Sequence, residues 1–303
     1  MSNELNIVKE NELIEGIWFE DDPYNNLIEP ITFHDYTFPR QKEISKSTSP
    51  RLYEVNYNKY GAQMTIIDYK KCDDITIEFM NKLSTGEWRK YIKEHQTYNN
   101  FKKGELKSPY DCTVIGVGYM GEGPYTKVNN KKFYSHWTNM LTRCYNPNSW
   151  ETRPGHMGCS VHPYFQNFQN FCDWCIKNYY EVDGETMDLD KDIMYYGNKV
   201  YGPRTCIFIP QSINKLFIRD RSSEKIGIPT GVTLTDNNRY ATKCFIEGKS
   251  IHLGSFDDKY EAFRVYKEAK EKEIKRVTET YKGKIPDYIY ERLISYQVQY
   301  RRF

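Results

Sequence analysis

Three aspartates, Asp188, Asp190 and Asp192, alternate with Leu189 and Lys191 between Met187 and Ile193. A carboxylate such as Asp190 can supply oxygen to a hard cation, and the same spacing also suits solvated acids at a strand end. Lys191 sits among three negative charges, which favour its ammonium form. It is therefore suited to holding a phosphate rather than to accepting a proton. A second group is Cys144, Cys159, Cys172 and Cys175, whose C-x-x-C pair shares one helix face. One reading is a zinc knuckle. The other is core thiols, since Cys172 and Cys175 fall on an apolar stripe with Phe168, Phe171 and Tyr179 and a second closely spaced pair is missing. The same argument speaks against zinc as a cofactor. His156 and His162, near Cys159, read either as a replacement base or ligand, or as surface and capping residues beside Pro163.

These residues need elements to position them. Trp137, Met140, Leu141 and Cys144 recur at helical spacing and stop at Asn146-Pro147, and a second helix is expected from Tyr164 through Phe168, Phe171, Cys172 and Cys175 to Tyr179. Residues 187–193, 197–210 and 211–217 then read as strand, loop, strand and helix. Upstream, strand-like runs at Arg51–Asn56, Gln63–Tyr69, Ile75–Phe79 and Trp88–His95, with turns at 71–74 and 85–86, suggest a small β-barrel.

Near the carboxyl terminus, residues 239–246 alternate, with Tyr240, Thr242, Cys244 and Ile246 on one side and Arg239, Ala241, Lys243 and Phe245 on the other. Turns at 236–238 and 247–249, and a further alternation in Ser250–Leu253, complete a three-stranded antiparallel sheet. A helix follows, capped by Asp257 or Asp258 with Glu261 as capping-box partner. Its stripe of Ala262, Phe263, Tyr266, Ala269, Ile274, Val277 and Tyr281 should cover the sheet's apolar side. Pro286 opens a last helix striped by Ile289, Leu293, Tyr296 and Tyr300.

The order strand, strand, strand, helix, with the residues GV, RY, HLGSFD and EAF-x-x-Y, resembles the APETALA-type (ethylene-response-factor) DNA-binding domain, also found in phage integrases and homing nucleases. The resemblance implies a sheet face lying in the major groove of double-stranded DNA, which is wide enough for a β-ribbon. By position that face holds Thr233, Thr235, Arg239, Lys243, Phe245, Lys249 and His252. Threonines and lysines suit phosphate contact better than bidentate base recognition, and they equally suit an ordinary solvated sheet face.

The middle segment, with W-x-x-M-L-x-R-C-Y upstream of the strand–loop–strand–helix run, looks like the HNH-type (ββα-metal) endonuclease segment of phages and mobile elements. That resemblance implies one Mg²⁺ held by Asp190 on the strand and Asn214 on the helix, with Lys191 at the position of the usual base histidine and Asn198 in the loop that orients the base. Residues 60–110 resemble an accessory β-module that precedes such segments. The expected fold class is α+β: an N-terminal β-barrel-like module (51–112) after an acidic tail (1–50), an HNH-like ββα middle (113–222), a C-terminal sheet-plus-helix domain (228–282) and a final helix (283–303). Two functions follow. One is a metal-dependent, homing-endonuclease-like DNA-nicking or DNA-cleaving protein. The other is an inactive DNA- or protein-binding regulator, for example a phage inhibitor of host defence acting on a host protein.

Composition sets the frame. The chain has 303 residues, 39% hydrophobic and 28% charged, which describes globular material with ample core. The net charge of +2 hides an asymmetry: residues 1–60 carry 6 cationic against 11 acidic side chains, and residues 221–303 carry 17 against 12. The basic end coincides with the expected DNA reader. With no long apolar span and eight cysteines, the expectation is a cytoplasmic chain of reduced thiols, in the host cytoplasm if phage-encoded, with no membrane partner.

Overall fold

The structure is a computed structural model that describes residues 49–217 and 227–300. The acidic stretch from Glu4 to Asp22, and the expected tail up to residue 48, lie outside the described residues. The chain divides into two compact units, one of residues 1–177 and 197–205, the other of residues 178–196 and 206–303. This division runs through the expected 113–222 module rather than around it, because its strand pairs close within different units.

In the first unit, β1 (Val55–Tyr57), β2 (Gln63–Lys71), β3 (Asp74–Lys82) and β4 (Trp88–Gln96) form an antiparallel meander in that spatial order. Met64, Ile66, Ile75, Ile77 and Phe79 are buried on one face, where Phe101 of helix α1 (Tyr98–Lys102) and Leu106 pack onto them. The expected barrel is corrected here: the sheet stays open, with β1 and β4 as its two edges. A helix covers the apolar face, so closure is not needed to bury it, and β1 is only three residues long.

Helix α2 (Lys131–Tyr145) buries Trp137, Met140, Leu141 and Cys144 as the spacing requires and ends at Asn146, which caps α3 (Pro147–Thr152) by accepting from Asn148 N–H. After β5 (Ser160–Val161), the expected single helix from Tyr164 to Tyr179 is two: α4 (Pro163–Gln166) and α5 (Phe168–Asn178). The break is at Asn167, whose backbone is extended at φ −84° and ψ 121° and bridges to Tyr119. Its Oδ1 accepts from Gln169 N–H at 2.9 Å, so the side chain starts a new helix instead of continuing the old one. The Trp137 indole donates to the Phe165 carbonyl at 2.7 Å, and Phe165, Phe171 and Trp174 pack ring on ring. Residues 178–196 belong to the second unit and carry β6 (Met187–Asp190); the chain then returns as β7 (Val200–Tyr201), parallel to β5.

The second unit pairs β6 antiparallel with β8 (Ile207–Pro210), followed by α6 (Gln211–Asn214) and a 3₁₀ turn, Lys215–Phe217. Next come β9 (Val232–Leu234), β10 (Tyr240–Ile246) and β11 (Lys249–Phe256), an antiparallel sheet with β10 in the centre, then α7 (Lys259–Glu279) and α8 (Asp287–Ile294). Asp258 caps α7 by accepting from Glu261 N–H at 3.1 Å. Ile228, Val232, Ala262 and Phe263 form the core between sheet and helix, with Tyr240, Phe256 and Tyr266 packed around them. Each large apolar side chain so buried contributes about 1.5–3 kcal/mol. Ser212 on α6 and Tyr281 beyond α7 both donate to Glu185, which ties the ββα element to the end of the long helix. Among the described residues no helix is long and apolar enough to cross a membrane.

Candidate nucleic-acid interface and ββα element

The central strand of the C-terminal sheet separates its two sides cleanly. Thr242 and Cys244 are buried, at 1% and 3% exposure, on the side that α7 covers. Lys243 and Phe245 point the other way, and Phe245 is 61% exposed. Pairing extends this open face across the sheet: Thr233 stands opposite Ala241, Ala241 opposite Ser255, Lys243 opposite His252, and Phe245 opposite Ser250. A bulge between Thr242 and Lys243 advances β11 by one residue, so that Ser255 and His252, three apart in sequence, face the same side.

Of the seven residues expected on this face, Thr233, Lys243, Phe245 and His252 share it by direct pairing, and Thr235 and Arg239, opposite each other one pair beyond Leu234 and Tyr240, continue the same side. Lys249 does not share it. Thr235 Oγ1 donates to the Arg239 carbonyl at 2.9 Å and accepts from Arg239 N–H at 3.2 Å, which locks the hairpin around Asn238. Arg239 donates through Nε to Asp257 at 2.8 Å and through its terminal nitrogen to the Ser255 carbonyl at 2.8 Å. Lys249 pairs with Ile246 and falls on the side of the sheet that carries α7. Ala241, Ser250 and Ser255 join the face without having been expected there. Alternation along 239–246 already put Ala241 outward, and the pairing of Phe245 would have found Ser250, but Ser255 depends on a bulge that alternation does not report.

In the ββα element, Asp188 and Asp190 lie two residues apart on β6 and therefore on one side of it. Asn214 Nδ2 donates to Asp188 Oδ2 at 3.0 Å, so the expected partner Asp190 is not the carboxylate that this amide grips. Asp190 Oδ1 accepts from the backbone N–H groups of Asp192 and Ile193, at 2.9 and 2.8 Å. That turn ends the strand at Asp190, short of the expected Ile193. Burial, reinforced by the charge of Asp192, pushes the Asp190 carboxyl up to about 7. Lys191 is buried at 5% exposure and donates to Asp192 Oδ2 at 3.1 Å. Asn198 belongs to the other compact unit, where its amide donates to Val200 O at 2.7 Å and accepts from Val200 N–H.

A magnesium ion takes oxygen donors, one or two of them carboxylates. The two aspartates and the Asn214 amide fit that chemistry: with its nitrogen on Asp188, Asn214 keeps its oxygen, and Asp190 keeps Oδ2 outside its turn. Among the described residues no group of three or more His, Cys, Asp or Glu side chains is arranged so that it could hold a metal ion. Cys144, Cys159, Cys172 and Cys175 are all buried thiols, and His162 Nδ1 accepts from Tyr164 N–H at 3.1 Å as the cap of α4.

No family model, no curated protein and no solved structure matches this chain.

Proposed function

We propose that the open face of β9, β10 and β11 binds double-stranded DNA. The observation that carries this reading is the grouping of Lys243, Phe245 and His252 with the hydroxyls of Thr233, Ser250 and Ser255 on a sheet side that α7 leaves uncovered. A two-stranded ribbon fits the major groove, where an ammonium and hydroxyls meet phosphate and an exposed ring meets base edges. With the charge of Arg239 offset by Asp257, Lys243 is the main cation this face offers a phosphate, so binding should be modest in its salt dependence. Titration of a labelled duplex by fluorescence anisotropy tests the reading; absence of saturable binding at low salt would sink it.

On the same reading the ββα element is a divergent nicking site of the HNH type, in which Asp188, Asp190 and Asn214 would hold one Mg²⁺. That ion would shield phosphate charge and acidify a water. Asn214 keeps Asp188 oriented, the turn at Asp192 and Ile193 keeps Asp190 oriented, and Lys191 is positioned for charge rather than for proton abstraction. A second reading is favoured by Lys191 itself, buried against Asp192 where the usual base would stand. In it the element is a scaffold, and the protein is an inactive DNA- or host-protein-binding regulator. Supercoiled plasmid with Mg²⁺ or Mn²⁺, and an Asp190→Ala control, separates the two. Nicking abolished by the substitution supports the enzyme, and nicking that is absent or unchanged supports the regulator.

A further inference from the structure

The chemistry of the open face narrows what it can read, on the premise that it binds duplex DNA as proposed above. Discrimination between guanine and adenine in the major groove calls for bidentate donors and acceptors, Arg for one and Asn or Gln for the other. The arginine at the edge of this face, Arg239, has its guanidinium engaged by Asp257 and by the Ser255 carbonyl. Within the paired strands the outward positions are Thr233, Ala241, Lys243, Phe245, Ser250, His252 and Ser255, so Arg239, at the edge of the face and engaged by Asp257, is its one bidentate donor. Three of these present apolar groups: the Thr233 and Ala241 methyls, which are cross-strand neighbours, and the Phe245 ring, 61% exposed. The one apolar feature on a major-groove base edge is the C5 methyl of thymine, and Ala, Thr methyl and Phe are the side chains that contact it.

We infer that this face recognises DNA by its thymine methyl groups. Lys243 and the hydroxyls supply phosphate contacts that set position without selecting sequence. Ala241 and Phe245 lie four residues apart on one side of β10, about 13 Å along an extended strand. With β10 along the groove, that length matches roughly four base steps of about 3.4 Å each. The preferred target therefore carries two thymine-bearing positions about four steps apart.

The test replaces thymine with deoxyuridine, which removes the methyl and leaves every hydrogen-bonding group in place. Anisotropy titrations would compare a thymine-rich duplex, its deoxyuridine counterpart, and a G·C duplex with and without 5-methylcytosine. The expected result is a loss of about fourfold for each contacted methyl removed and a gain on methylating cytosine. Phe245→Ala and Thr233→Ser, both at exposed positions, should bind more weakly and tell thymine from deoxyuridine less well. Equal affinity of the unaltered protein for the thymine and deoxyuridine duplexes overturns this inference while leaving duplex binding intact. Failure to bind any of the duplexes overturns both.

Discussion

Lys243 and His252 stand opposite each other on β10 and β11, on the side of the sheet away from α7. The equally basic Lys249 pairs with Ile246 on the other side, and Arg239 is held by Asp257. Charge along the strand is therefore sorted by register. Lys243→Ala should weaken duplex binding several-fold and reduce the slope of log affinity against log salt by about 1. Lys249→Ala should leave the slope unchanged, and Arg239→Ala should change it less than Lys243→Ala. Anisotropy titrations across a salt series measure all three.

Glu273 lies on α7 at 5% exposure, takes a bidentate contact from Arg276 at 2.7 and 2.8 Å, and accepts from Glu247 N–H at 2.9 Å. The Arg276 guanidinium holds its carboxyl below the ordinary value of 4.5, against the opposing effect of burial. A carboxyl depressed on folding stabilises the fold above its unfolded value, and that stability fades as pH falls through the folded value. The second unit should accordingly lose stability below about pH 4.5. Glu273→Gln should cost about 1–3 kcal/mol at neutral pH and flatten this acid limb, as urea unfolding at several pH values would show.

Gly231 enters β9 with φ +77°, and a Cβ there would meet the Tyr266 ring at 2.3 Å. Both the left-handed backbone and the close ring exclude a side chain. Gly231→Ala should destabilise the sheet-plus-helix core by a few kcal/mol and so abolish DNA binding through unfolding. Circular dichroism melting distinguishes this loss from that of Lys243→Ala, which should melt like the parent.

Cys72, in the β2–β3 turn, is exposed, and the Tyr69 hydroxyl and the Arg51 guanidinium lie 3.3 and 3.5 Å from its sulfur. These two contacts, Tyr69 first, lower its thiol pKa below the usual range. Cys72 should be the first described cysteine alkylated by iodoacetamide, with a pH profile shifted to lower pH. Arg51→Ala should slow the reaction at neutral pH. Mass spectrometry of partly labelled protein reads both.

How much of this was legible in the sequence depended on the range of the interaction that fixed it. The period-2 run at 239–246, the α7 stripe and the Asp258 cap are local signals, and each appears in the structure where the residues put it. So does the α2 face of Trp137, Met140, Leu141 and Cys144. What escaped was decided by distant partners. Asn167 breaks a helix because Tyr119, far back in the chain, bridges to its backbone. Lys249 changes side because register, not exposure, sets facing. The barrel stays open because α1 supplies the cover that closure would have provided. In the ββα element Asp188, Asp190 and Asn214 were readable as candidate oxygen donors, but the pairing of Asn214 with Asp188 rather than Asp190 required geometry.

The most direct test of the open sheet as a DNA-binding face is residue-resolved NMR of the full chain titrated with a thymine-containing duplex. Shifts concentrated at Thr233, Lys243, Phe245, Ser250 and His252, with α7 residues such as Ala262 and Ile274 unmoved, are the predicted result. Duplex binding that leaves those five signals in place and shifts others would contradict it.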